Sequence, residues 1–429
     1  MSEKMWPLWV PFLLLVIALS PGKGIAGIPE VNHVMVTDVT TVSFSVIWAS
    51  SEAATADIEV FEDANGTTLL SGAVVVSHPV NDADKADAIK AAAEESGVMK
   101  VMVTGLQPDT TYYFQTITTS KSTADVTSEP AAAPLTSVTT ETSTVRTYED
   151  GTDILPFSND VIVEDCYLED GTTPADGSLL IATVAGGQYP ITAFIGDGVD
   201  SPYALIDLNN MFSRESSENL DLEQGENLTL VNFGGLNGNS VVSHRVPSDL
   251  GLAEIKSGDP FLKVGWNMVS LPLEPINNNI VDLIESIYDK VDSIWAYDAS
   301  SGDYLSMDKS MPDFLWSLRS LESTTGYWFV MNEETSFKYN GDFQSNTMQL
   351  SSGWNLVGVK DLKTKDLSES IADISEYVES IWYYDAAEGI YVSYDVTLPS
   401  YLNSLFTIEP GNAYWFVMSS ECDDGNCEW

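Results

Sequence analysis

Basic residues are scarce in this chain. Only 18 Lys and Arg stand against 64 Asp and Glu in 429 residues, a formal charge of −46. A surface of that sign repels phosphate backbones and anionic lipid, so no nucleic-acid partner is expected. Histidine is almost absent: His33, His78 and His244 are scattered, with no metal-ligand or triad spacing. The chain has no Gly-x-Ser-x-Gly elbow, no phosphate-cradling glycine loop with a lysine, and no His-Glu-x-x-His. Paired carboxylates are plentiful, but so many acids make pairs by chance. No enzymatic activity is therefore expected; an enzyme would need a cleft that gathers one histidine with two carboxylates.

Long apolar runs are missing as well. Val10–Leu19 is too short to span a bilayer and holds Pro11. With Lys4 ahead of it and small residues at Ala18-Leu19-Ser20 and Gly24-Ile25-Ala26, residues 1–26 read as a secretory signal. No cysteine follows the run to carry a lipid anchor, and no later window is long enough for a membrane span. The expectation is an exported chain, secreted or at the cell surface. Of the three cysteines in that oxidising setting, Cys422 and Cys427 enclose the turn-forming Asp-Asp-Gly-Asn and are expected to pair as a disulfide. Metal ligation is their alternative reading, although no second Cys or His pair supports it. Cys166 is left over, either buried and inert or open to intermolecular pairing.

What the chain does have is a stretch that occurs twice. Gly265-Trp266-Asn267-Met268-Val269, Ile294-Trp295-Ala296-Tyr297-Asp298 and Gly326-Tyr327-Trp328-Phe329-Val330-Met331 recur in the same order. Their counterparts are Gly353-Trp354-Asn355-Leu356-Val357, Ile381-Trp382-Tyr383-Tyr384-Asp385 and Ala413-Tyr414-Trp415-Phe416-Val417-Met418. A single one-residue gap aligns all three blocks, which marks a tandem module. The two copies occupy about 256–341 and 342–429. In each, apolar residues at helical spacing (Ile280, Leu283, Ile284, Ile287, Val291; Leu367, Ile371, Ile374, Val378) predict one helix on a small antiparallel sheet. The module resembles a Gly-Trp-Asn-Leu module of exported bacterial proteins, and that likeness implies an extracellular accessory role with no assigned activity.

Residues 28–142 alternate apolar and polar positions between turn signals, as in Val-Ser-Phe-Ser-Val-Ile-Trp at Val42–Trp48 and the Asn65-Gly66 turn. Gly105-Leu106-Gln107-Pro108-Asp109-Thr110-Thr111-Tyr112 precedes an aromatic strand. This resembles the corner of fibronectin type III domains, and Trp48 matches that family's core tryptophan. The resemblance implies a β-sandwich in which Tyr112 returns its hydroxyl to the backbone. Asp82–Ser96, rich in Ala, Glu and Lys, predicts a helix inserted between strands. Residues 146–255, rich in Gly and Asp, read as a second β-sandwich, and Asp165–Ala185 is similar to prealbumin-like modules of secreted proteins. The fold expected is thus mainly β and multi-domain: a fibronectin type III-like sandwich, a second sandwich, and two tandem α+β repeats, strung like beads.

Three groups of side chains are the candidates for function. Trp48, Tyr112, Trp266, Trp295, Trp328, Trp354, Trp382 and Trp415 are expected to be structural, since alternating aromatics on neighbouring strands form cores. Tyr304, Trp316, Tyr391 and Tyr401 lie outside the repeated blocks and are the ligand-binding candidates. Asp197 and Asp200, and Asp423 and Asp424, place oxygen ligands on turns, where calcium is the one candidate ion; no other cofactor is expected. The reading is a non-catalytic structural or interaction protein of the bacterial cell surface or extracellular matrix, with an extracellular protein or polysaccharide as partner. The alternative is a carbohydrate-binding protein that uses exposed aromatics of the repeats.

Overall fold

The computed structural model describes residues 28–142, 146–147, 153–154, 161–214, 218–220, 222–248, 258–344, 347–359, 361–422 and 427–429. The expected signal at 1–26 and the pair Asp423 and Asp424 lie outside the described residues. The chain is mainly β. Its first unit consists of β1 (Val31–Thr37), β2 (Ser43–Ser50), β3 (Ala54–Phe61), β4 (Val74–Ser77), α1 (Ala86–Ser96), β5 (Val98–Thr104), β6 (Thr111–Ser120), β7 (Val126–Glu129) and β8 (Thr136–Thr139). One sheet runs β1-β2-β5-β4; in the other β6 pairs β3 on one edge and β7 and β8 on the opposite edge. Pro130 and Pro134, which have no N–H to give a ladder, separate those two strands.

Alternation places Ala54, Ala56, Ile58 and Val60 of β3 and Tyr112, Phe114 and Thr116 of β6 in the space between the sheets. Trp48 is fully buried there, its indole N–H donating to Thr118 Oγ1 at 2.8 Å. The Tyr112 hydroxyl accepts from the Gln107 N–H at 3.0 Å and ties down the corner. The helix expected at 82–96 forms from Ala86 and ends where Gly97 turns left-handed (φ 69°), its N–H capping Ala93 O and Glu94 O.

That helix faces the second unit rather than solvent. β9 (Arg146–Thr147) and β10 (Asp153–Ile154) pair with each other. β11 (Val161–Asp165) pairs β14 (Tyr203–Asp207), while β12 (Leu179–Val184), β13 (Ile191–Phe194), β15 (Asn227–Phe233) and β16 (Asn239–Arg245) form most of a larger sheet. Leu179, Ile181, Val231 and Phe233 on one face of it pack against Ile89 and Ala93 of α1. Gly177 makes the approach possible: a Cβ there would sit 2.4 Å from the Ala92 carbonyl carbon, and its φ of +81° already favours glycine. Asp197 is the polar clamp of this contact. Its carboxylate accepts from the Asn81 N–H at 2.9 and 3.0 Å, Asn81 Nδ2 at 3.1 Å and the Asp82 N–H at 2.9 Å. Asp38 clamps the other side, accepting from Thr192 N and Oγ1 and pairing with Lys100 Nζ at 3.0 Å.

The first repeat contributes β17 (Asp259–Pro260), β18 (Gly265–Val269), β19 (Glu274–Pro275), α2 (Ile280–Leu283), β20 (Val291–Asp298), β21 (Asp303–Asp308), β22 (Tyr327–Met331) and β23 (Lys338–Asp342). The second contributes β24 (Gly353–Gly358), β25 (Lys365–Asp366), α3 (Leu367–Ser370), β26 (Val378–Asp385), β27 (Ile390–Asp395), β28 (Thr407–Ile408) and β29 (Ala413–Met418). Each repeat builds a four-stranded antiparallel sheet, β18-β22-β20-β21 and β24-β29-β26-β27. The remaining strands depart from the expected bead arrangement. β23 and β17 pair with β16, and β19 pairs with β23, so the large sheet crosses the 255/256 boundary in the order β13-β12-β15-β16-β23-β19. One hydrophobic core accordingly runs from α1 through this sheet to Ile280, Ile284, Ile294 and Phe329 of the first repeat. The second repeat is tied in by Asn227 Nδ2, which donates to Glu409 Oε2 at 2.6 Å, and by Arg214, 3.2 Å from Asp366.

The helix expected in each repeat is reduced to one turn, α2 followed by a 3₁₀ segment at Glu285–Lys290, and α3 alone. The apolar residues at helical spacing are all buried, but Val291 and Val378 begin strands rather than end helices, so a short irregular turn has to bury the rest. Cys422 and Cys427 form the expected disulfide and are buried. Cys166 is also buried, and burial pushes its thiol up to about 12, which removes the intermolecular-pairing alternative. Among the described residues no helix is long and apolar enough to cross a membrane.

Asp197→Ala leaves two N–H groups of the Asn81–Asp82 turn without their acceptor, at an expected cost of about 1–3 kcal/mol in urea unfolding. Gly177→Ala is expected to cost at least as much, because the backbone of α1 must move.

Candidate functional site

The repeated motif has a local structural cause. Gly265 and Gly353 take positive φ (96° and 83°), and the next-but-one asparagine staples the chain just before them. Asn267 Oδ1 accepts from Lys263 N at 2.8 Å while its Nδ2 donates to Lys263 O at 2.8 Å; Asn355 does the same with Ser351 at 2.9 and 2.7 Å. The tyrosines at the far end act alike. Tyr327 and Tyr414 are buried, and their hydroxyls accept from the Glu322 and Glu409 N–H groups at 2.7 and 3.0 Å. This is the same five-residue latch that Tyr112 makes.

Antiparallel register then sorts the remaining side chains into two faces. One face of the first sheet carries Val269, Ile294, Tyr327, Phe329 and Met331 and is the core. The other carries Trp266, Met268, Trp295, Tyr297, Tyr304 and Trp328, and its equivalent in the second repeat carries Trp354, Leu356, Trp382, Tyr384, Tyr391 and Trp415. These two faces meet. Tyr297 packs on Trp415 at 5.2 Å and, reciprocally, Tyr384 on Trp328 at 5.7 Å. Val269 bridges Asn412 as Val357 bridges Thr325, and the Ser270 N–H bonds Gly411 O at 2.8 Å as the Gly358 N–H bonds Thr324 O at 3.1 Å. Each contact has a counterpart with the copies exchanged, so the repeats are related by a pseudo-two-fold axis.

From this buried centre the rings continue outward. Trp266 stands edge-on against Trp328 at 5.7 Å and Trp354 against Trp415 at 5.6 Å. Tyr304 packs on Tyr297 at 5.2 Å and Tyr391 on Tyr384 at 5.0 Å. Partial burial, then the neighbouring Tyr384 and Tyr304, raise the Tyr391 phenol above its ordinary value. Two four-ring rows therefore run from Trp266 to Tyr391 and from Trp354 to Tyr304, with exposed rings at both ends of each.

Several sequence-based assignments change. Trp316, a ligand-binding candidate, is 8 % exposed, and its indole N–H donates to Asp308 O at 2.7 Å; it belongs to the core because its loop folds back along β21. Trp266 and Trp354, expected as core, are 51 % and 49 % exposed, since β18 and β24 lie at the edge of their sheets. Trp328 and Trp415 are buried between the copies, and Trp295 and Trp382 are half-buried, each indole N–H on a serine hydroxyl (Ser293, Ser380) at 2.9 Å. Tyr304, Tyr391 and Tyr401 are exposed as expected. Tyr304 and Tyr391 prove to be counterparts in the repeat, and Tyr401 has its counterpart in Phe314, which is 75 % exposed and which sequence reasoning passed over. Asp197 has its oxygens engaged by Asn81 and Asp82, and Asp200 projects into solvent 3.7 Å from Lys85. The two do not form a calcium site, and the described residues hold no group of three metal-ligating side chains.

Comparison with models of known families returns no match for this chain, and comparison with curated proteins returns none either.

Trp328→Ala and Trp415→Ala are expected to cost about 3–5 kcal/mol each, and nearly the same amount as one another, because they fill equivalent places. Trp266→Ala and Trp354→Ala should each cost under about 1 kcal/mol. Unequal costs for the first pair would contradict the two-fold. A second expectation concerns pH. Burial raises the Glu226 carboxyl from 4.5 to about 8, so the folded chain holds a proton there that the unfolded chain releases. That stability is complete below the unfolded value and is lost as pH rises through about 8. His244, lowered to about 4 by burial, contributes stability above 6.5 that is lost only on acidification through about 4. Melting temperature should therefore rise from pH 8 to pH 6.5, and Glu226→Gln should reduce that slope, leaving the part that Glu164, raised to about 7 by burial, contributes.

Proposed function

We propose that this chain is a secreted, non-catalytic interaction protein of the bacterial cell surface or extracellular matrix, and that it binds through its paired repeats. The observation that carries the reading is the set of exposed rings Trp266, Tyr304, Trp354 and Tyr391, presented twice about one axis and backed by a rigid core. Exposed apolar rings held in place by other rings mark interaction surfaces rather than solvent-facing chance. The first unit is proposed to be a fibronectin type III domain; its strand order, buried Trp48 and Tyr112 latch support that assignment. The repeats are likewise proposed to be Gly-Trp-Asn-Leu modules.

A second reading is favoured by a specific feature. The exposed rings are tryptophans and tyrosines rather than aliphatic side chains, and they stand beside Ser and Asp positions on the same sheet faces. Rings flanked by hydrogen-bonding groups suit the C–H faces and hydroxyls of a polysaccharide. Either reading is non-catalytic, and the position of the histidines supports this. His33 packs, tilted, on Phe343 at 4.6 Å and His78 is buried with Nε2 on Val98 O. His244 shares a cleft with the adjacent pair Glu164 and Asp165, but neighbours on a strand point to opposite faces, so only one carboxyl is turned towards it.

Retention of the full chain on insoluble polysaccharides, read alongside Trp fluorescence, tests the proposal. Saturable quenching that weakens at least tenfold in the Trp266→Ala/Trp354→Ala double variant, with melting unchanged, is expected for a polysaccharide partner. No retention on any polysaccharide directs the same double variant to protein partners. Unaltered binding of every partner in that variant would overturn the assignment of the surface.

A further inference from the structure

A cleft apart from the paired aromatic faces lies between the second unit and β23 of the first repeat. It has a volume of about 570 Å3, within the range of small-ligand sites, and opens where the β11-β14 sheet stands over the larger sheet. Four strands meet there: β11 supplies Glu164, β16 supplies His244, β23 supplies Lys338, and Tyr203 begins β14 at the mouth. The placement follows from register. Glu164 pairs with the buried Ala204 and lies two residues from the buried Ile162, so it projects from its strand towards the interior. His244 lies two residues from Val242, which pairs Lys338, so these three share the facing side of the opposite sheet.

The polar atoms of the cleft are incompletely satisfied. His244 is only 9 % exposed, and its Nδ1 has no hydrogen-bond partner among the described residues. That atom is itself sealed from solvent, so a molecule in the cleft would meet the rest of the His244 side chain. Lys338 Nζ donates to the Asp165 carbonyl at 3.3 Å, leaving further donor capacity at the same place. Burial raises the Glu164 carboxyl to about 7, although Lys338 opposes the shift, so near neutrality this group both donates and accepts. Burial, reinforced by Lys338, keeps the imidazole uncharged, with its value lowered to about 4.

Charge then selects the class of ligand. Asp165 and Asp200 at the rim, on a chain of formal charge −46, oppose an anion. Lys338 opposes a cation. A hydroxyl can accept from an ammonium or a protonated carboxyl and give to a carboxylate or an uncharged imidazole nitrogen, so it finds a role with each of these partners. The geometry points to this cleft as a binding site for a neutral, hydroxyl-rich small molecule, a monosaccharide or the terminal sugar of a glycan, held by Glu164, His244 and Lys338. The site does not depend on the aromatic surface of the repeats. The two share no residue.

Calorimetric titration of the full chain with a panel of neutral monosaccharides and their methyl glycosides tests it, with glucosamine and glucuronic acid as charged comparisons. Saturable binding of at least one neutral sugar is expected, with both charged analogues at least tenfold weaker. Binding should fall at least tenfold in Glu164→Leu and in Lys338→Met; Lys338 is exposed, so the second variant keeps the fold, and circular dichroism checks the first. The Trp266→Ala/Trp354→Ala variant should bind these sugars unchanged, which separates this site from the repeat surface. Absence of binding across the neutral panel, equal binding of a charged analogue, or full affinity in both cleft variants would overturn the proposal.

Discussion

The pairing of β23 with β16 is the constraint on which the architecture rests. Three residues of a strand that belongs by sequence to the first repeat, Lys338 to Asn340, complete the edge of a sheet built by the preceding unit. Removing them would expose a row of unpaired backbone groups. It would also split the core that joins α1, the large sheet and the first repeat. The inserted helix has the same role at the other end, where Gly177 and Gly235 let backbone approach backbone; a Cβ at Gly235 would sit 2.4 Å from Ser96 O. What the sequence spaces out as four modules is therefore a set of interlocked bodies.

Inside the repeats, burial and exposure divide along the two faces of each sheet. The tyrosine latch and asparagine staple fix the strand ends, the core face closes over the short helical turn, and the opposite, aromatic face is left to find a partner. Each copy supplies that partner to the other. The interface is small, centred on Met268, Trp328, Leu356, Ala413 and Trp415, and it leaves the outermost rings uncovered.

How much of this could be read from sequence depended on how local the determining contacts are. The corner at Tyr112, the helix ending at Gly97, the disulfide between Cys422 and Cys427 and the duplication itself are set by residues close in sequence or by direct comparison of two stretches. Alternation also indicated correctly that some aromatics of Tyr-Trp-Phe-Val-Met would be buried. Alternation says which side chains share a face, but not what covers that face. Trp266 and Trp354 were misplaced for that reason, because exposure at a sheet edge depends on strand order. Trp316 was misplaced because its burial depends on a loop that folds back to Ser306. The shared sheet and the cleft around Glu164 and His244 unite strands separated by scores of residues, and neither leaves a periodic trace.

The reciprocal contacts of the repeats carry a consequence for assembly. A surface that matches itself about a two-fold axis, when present once per chain, closes only when two chains meet, and its occupancy then rises and falls with concentration. Duplication within one polypeptide replaces that encounter with an internal one, at an effective concentration set by a short connection. The association is thereby independent of dilution. That property would suit the secreted role proposed above, because a dimer of separate subunits comes apart on dilution.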